Sequence, residues 1–147
     1  MKSILGLFLL FVSVSANAGT CDLISGSFKS ITAECYTIHN GVKYGDGTME
    51  IRTAFNETLK SLNVAMVSRN YSLSYIADGN EQVGNPLYEG SKYTAKCENN
   101  HAHIRADLGL TKPLVYDYSI SLDDKLIYQE ALEGDSSFVR VCEMDRF

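Results

Sequence analysis

The stretch CENNHAHIRADLG, Cys97 to Gly109, holds the residue types best suited to chemistry. A thiol and two imidazoles, His101 and His103, at short spacing can hold a borderline metal ion such as zinc. Side-chain alternation argues against that. With Asn99-Asn100 as a two-residue turn, residues that tolerate positive φ, Cys97 faces Ala102, Ala95 faces Ile104 and Tyr93 faces Ala106 on one apolar face. Glu98 then meets His101, Lys96 meets His103, Thr94 meets Arg105 and Lys92 meets Asp107 on the other. The cysteine and the histidines project to opposite sides of the sheet. Two histidines, with Glu98 as a weak third, fall short of a zinc ligand set, and the charge of Lys96 opposite His103 disfavours a cation. No metal and no cofactor is expected, and the stretch reads as a hairpin with a solvated outer face.

A second group lies near the C-terminus. With 123–125 as a three-residue loop, Leu122 faces Leu126, Ile120 faces Tyr128, Tyr118 faces Glu130 and Tyr116 faces Leu132. With 133–137 as the next loop, Leu132 faces Phe138, Glu130 faces Arg140, Tyr128 faces Cys142 and Leu126 faces Met144. One face is then apolar and crossed by a single polar row, Tyr118, Glu130 and Arg140. If that face points inward, Arg140 can grip a ligand carboxylate, Tyr118 adds a hydroxyl donor and Glu130 balances the charge, with Tyr116 and Tyr128 on the same wall. A slip of one residue inverts every side chain, bringing Ile127, Ala131, Val139 and Val141 inward and leaving Arg140 and Glu130 as a surface pair. Both registers remain open at this stage.

Other motifs carry less. YGDGT, 44–48, has neither the following helix of a phosphate loop nor the spaced acids of a calcium loop, and reads as a hairpin turn. There is no nucleophile-elbow pattern, and no histidine falls beside a nucleophile. The chain is not expected to be an enzyme.

These residues must be positioned by strands. The chain is rich in Tyr, Val, Ile, Thr and Ser, in short alternating runs separated by Gly, Asn and Asp. The runs are roughly 23–29, 33–39, 48–55, 62–68, 71–77, 87–98, 101–108, 113–122, 126–132 and 138–144. Turning at Arg69-Asn70, Met66 faces Leu73, Val64 faces Tyr75 and Leu62 faces Ala77. Asn56 is a candidate cap for a helical turn near 57–61.

The first eighteen residues read as a signal peptide: Lys2, an apolar run too short to anchor in a bilayer, and a small-x-small end at Ala16-Asn17-Ala18. One domain, 19–147, follows. Without Lys2 it has 12 basic and 18 acidic residues, a formal net charge of −6. That acidic, unpatterned balance argues against nucleic acid and anionic membrane surfaces as partners. Four cysteines in an exported chain read as two disulfides. Cys21–Cys35 would tie the first two strands, and Cys97–Cys142 would close one end of the sheet. The sequons at Asn56 and Asn70 matter only in a host that glycosylates its exports.

About ten antiparallel strands in one small exported domain predict an all-β, up-and-down barrel of 8–10 strands. Gly26-Ser27-Phe28 resembles the Gly-x-Trp opening of the lipocalins, with Phe at the Trp position, and VYDYS, 115–119, is loosely similar to their Thr-Asp-Tyr turn. The family's late helix and the Arg motif after it are missing, with Arg140 on the last strand instead. The resemblance is to the lipocalin and fatty-acid-binding (calycin-like) superfamily. It implies a binding barrel in which Arg140 and Tyr118 echo the residues that grip a carboxylate in the fatty-acid-binding branch. The expected function is binding of a small, partly apolar, carboxylate-bearing ligand in a secreted or periplasmic barrel. The alternative is an interaction or inhibitor protein whose barrel is filled by Tyr75, Tyr93, Tyr116, Tyr128 and Phe138.

Overall fold

The computed structural model describes residues 21–31, 34–85 and 88–147, so the expected signal peptide lies outside the described residues. Among the described residues twelve strands follow one another: β1 Gly26–Lys29, β2 Cys35–His39, β3 Val42–Gly45, β4 Glu50–Asn56, β5 Ser61–Met66, β6 Tyr71–Ile76, β7 Asp78–Asn85, β8 Tyr88–Glu98, β9 His101–Asp107, β10 Leu114–Ile120, β11 Leu126–Leu132 and β12 Asp135–Arg146. All their pairings are antiparallel, in the order β6-β5-β4-β1-β12-β11-β10-β9-β8-β7. β1 and β2 run in succession along β12, and β3 pairs with β2 as β4 pairs with β1. The result is a nearly closed, ten-position up-and-down barrel whose first two staves are each bent. Where β6 and β7 part, the Ile76 N–H donates to the Tyr93 hydroxyl at 3.0 Å.

The inner face is the apolar one, as alternation requires. Ile51, Leu62, Val64, Tyr75, Ala95, Ile104, Tyr118, Tyr128, Cys142 and Met144 are all buried. The hairpin of β8 and β9 has the expected register throughout, turning on Asn99 and Asn100, both at positive φ. Two other hairpins keep the expected faces with the register moved by two residues. β5 and β6 pair Met66 with Tyr71 and Val64 with Leu73, because Val67–Arg69 forms a 3-10 turn before a left-handed Asn70. β10 and β11 pair Tyr118 with Tyr128 and Tyr116 with Glu130, because the loop holds five residues and closes from Ser121 N–H to the Lys125 carbonyl. A slip of two preserves parity, so the inward set is unchanged. β11 and β12 match expectation from Leu126–Met144 to Glu130–Arg140, then a bulge brings Leu132 opposite Asp135.

β3 and β7 are strands that alternation does not reveal. β3 is set by the Asn40-Gly41 turn, both residues at positive φ, a strong hairpin signal. β7, Asp78–Asn85, has little apolar pattern and is held by its partner β8. Near 57–61 the chain makes a tight turn instead of a helix, and Asn56 Oδ1 accepts the Leu59 N–H at 2.9 Å.

The expected disulfides are corrected. The bridges are Cys21–Cys97 and Cys35–Cys142. Cys97 and Cys142 both face inward, but β9, β10 and β11 separate their strands. Cys142 instead lies directly opposite Cys35 on the neighbouring β2. Cys21 precedes the 3-10 turn Asp22–Ile24, which crosses the barrel end towards β8, away from Cys35. Arg146 of β12 stands in register with Phe28 of β1. It lies over the Phe28 ring at 4.6 Å and donates to the Ser25 and Leu23 carbonyls at 2.8 and 2.6 Å. Phe28 and Ile24 are sealed beneath it.

Candidate functional site

Even-numbered residues of β10, β11 and β12 point inward, which settles the open register: Arg140 and Glu130 belong to the inner wall. Pairing across the strands runs Tyr116, Glu130, Arg140, Thr37 in one row, and Tyr118, Tyr128, Cys142, Cys35 in the next. The polar row therefore contains Tyr116 where Tyr118 was expected. Tyr118 sits one row deeper, fully buried, with its ring 5.2 Å from that of Tyr128.

Arg140 is the centre of the cluster. Its Nη1 donates to Glu130 Oε2 at 2.5 Å. Its Nε donates to Asp46 Oδ2 at 3.1 Å and to Thr37 Oγ1 at 3.2 Å, while the Thr37 hydroxyl donates to the same Asp46 oxygen at 2.5 Å. The Tyr128 hydroxyl donates to Glu130 Oε2 at 2.9 Å. Burial alone would weaken the hold of the guanidinium on its proton, but Glu130 and Asp46 more than offset it and leave its pKa above the usual range. The Arg140 and Glu130 side chains are 14% and 13% exposed, and Asp46 is 17%. Solvent reaches this row but not the next, where Cys35 and Cys142 are sealed. Beyond it, Leu114, Leu132 and Phe138 are half-buried and mark the accessible end of the barrel.

Two members were not foreseen. Asp46 lies in the bend between β3 and β4, where YGDGT reads as a simple turn; an acid between two glycines is the only trace it leaves. Thr37, on β2, stands opposite Arg140 and links it to Asp46, and a lone threonine in a strand leaves no trace in the sequence. On the outer face Glu98 is held by Lys96 at 2.7 Å, so it is not the third partner of His101 and His103; Asp117 of β10 takes that place.

Burial pushes the phenol pKa values of Tyr71, Tyr75, Tyr118 and Tyr128 upward. An unfolded tyrosine ionises near pH 10. Above that pH the unfolded chain sheds protons that the native barrel keeps, so the stabilisation is full below about pH 10 and is lost as pH rises further. In an alkaline titration followed by tyrosinate absorbance, these phenols should ionise only as the barrel unfolds. Reversible ionisation of all nine tyrosines near pH 10 with the fold intact would contradict this burial.

No family model and no curated protein matches the chain. Among solved structures it is similar to secretory abundant heat soluble protein 4 from Ramazzottius varieornatus, with a TM-score of 0.57 and 11% identity over 87% of this chain and 97% of that one. At that identity the likeness is one of fold alone, that of an antiparallel β-barrel.

Proposed function

We propose that the protein is an exported binding protein, without catalytic activity, whose barrel takes a small, partly apolar molecule with its polar group against the Arg140 cluster. One observation carries this reading: a guanidinium and two carboxylates stand together at the accessible end of a largely apolar inner wall. Buried ionic groups are costly unless paired, and apolar side chains of similar size would often serve stability as well. The two disulfides and the likeness to a secretory protein support export.

Charge balance defines the ligand further. One arginine against Glu130 and Asp46 leaves the cluster with a net charge of −1. A ligand carboxylate, the natural partner of a lone arginine, has to displace an acid already in place. A neutral or cationic polar group fits better. The test is displacement of an environment-sensitive apolar dye by an alkyl amine, alcohol and acid of equal chain length. The amine and alcohol should compete, with the acid weaker by about tenfold, the equivalent of roughly 1.4 kcal/mol. Asp46→Asn should narrow that gap. Mass spectrometry of extracts from natively purified protein would identify what the barrel carries.

The second reading, a filled barrel acting through its outer surface, rests on Tyr75, Tyr118 and Tyr128 being among the largest fully buried side chains. Failure of every dye and ligand to enter would favour it and sink the first.

A further inference from the structure

On the outer wall of the barrel β9 and β10 bring three side chains together. His101 and His103, two residues apart on β9, share a face; Asp117 on β10 stands directly opposite His103. His101 Nε2 lies 2.8 Å from Asp117 Oδ1, and His103 Nδ1 lies 2.7 Å from the same oxygen. The three ligand atoms all fall within 4.8 Å of one another.

We propose that His101, His103 and Asp117 form a surface site for one first-row divalent cation that favours imidazole, zinc or copper(II). Three features support it. Two imidazoles and a carboxylate are ligands such ions accept, and open positions remain for water. A tetrahedral ion with bonds of about 2.0–2.2 Å needs its ligand atoms about 3.3 Å apart. The carboxylate oxygen must therefore retreat by about half an ångström and the two ring nitrogens, as much as 4.8 Å apart, must close towards each other by up to about 1.5 Å, both of them side-chain adjustments on exposed groups. The third feature is local charge. Lys96 is engaged by Glu98 at 2.7 Å, and Arg105 by Glu133 at 2.8 and 2.9 Å, so each neighbouring cation already has its own acid. Among the described residues Asp117 pairs with imidazoles only, and its carboxylate is 27% exposed. On binding, the ion takes the lone pairs of His101 Nε2 and His103 Nδ1, and each ring carries its proton on the opposite nitrogen.

The purified protein, stripped with EDTA, would be titrated calorimetrically with zinc and with copper(II), and copper followed by electron paramagnetic resonance. One equivalent of either should bind, and magnesium should not. Asp117→Asn and His103→Ala should each weaken binding by about 100-fold, since even the partners of metal ligands are worth roughly 10–100-fold. Glu98→Gln and His39→Ala, which alter a neighbouring acid and a histidine on another strand, should bind like wild type. Nitrogen hyperfine coupling should report two imidazoles on copper in wild type and one in His103→Ala, a readout that does not depend on stability. No binding, or binding unchanged in Asp117→Asn and His103→Ala, overturns the site.

Discussion

The Cys35→Ala/Cys142→Ala double variant should be less stable than wild type by about 4 kcal/mol, with Tm lower by roughly 15 °C. The bridge closes a loop with a sequence separation of 107, and in the chain-entropy description a loop of that length is worth about 4–5 kcal/mol through the unfolded state. Cys142 and Cys35 are fully buried, so alanine adds no unsatisfied polar group. Denaturant unfolding would measure the loss, and the m-value should rise because the uncrosslinked unfolded chain expands further. A loss below about 1 kcal/mol would mean that the bridge contributes little. Non-reducing peptide mapping supplies the companion measurement: fragments joining Cys21 to Cys97 are expected, and a Cys21–Cys35 fragment would refute the connectivity.

Arg140→Ala should cost about 3 kcal/mol. It removes the one cation between Glu130 and Asp46 and leaves two carboxylates facing each other on a largely apolar wall. Stranding the partners of a fully buried charge costs about 3–5 kcal/mol, and the partial exposure of this cluster places it at the lower edge. The cost should be largely recovered in Arg140→Met/Glu130→Gln/Asp46→Asn, where no charge is left unpaired. Urea midpoints at constant m would compare the two. Equal destabilisation by both would show that the arginine acts through packing, not charge.

Alternation separated the inside from the outside in the β5–β6 and β8–β9 hairpins, but left the inward face of β11 and β12 open. It could not count loop residues. At Val67–Arg69 and at 121–125 the register depends on how each loop closes, and both hairpins moved by two residues without changing face. That shift replaced Tyr118 by Tyr116 in the polar row. Asp46 was hidden because it lies outside any regular strand, and its partner Arg140 is ninety-four residues away. Asp117 was hidden differently. It meets His103 only through the pairing of β9 with β10, and the connection between them, 108–113, is irregular and offers no turn from which to read a register. The inner residues of each hairpin follow from local pattern; the functional groupings need contacts between strands that the pattern does not join.

The two disulfides interleave, Cys21 with Cys97 and Cys35 with Cys142. This has a mechanical consequence. Tension applied between residues 21 and 142 of an uncrosslinked chain would draw out about 400 Å of polypeptide. With the bridges intact the shortest covalent route runs from 21 to 35 and across to 142, so the same pull lengthens the molecule by at most about 50 Å before disulfides bear the load. The inner wall with Arg140 and the outer wall with Asp117 lie on the parts of the chain that this route bypasses. Pulled between residues 21 and 142, the chain would pass the load through neither.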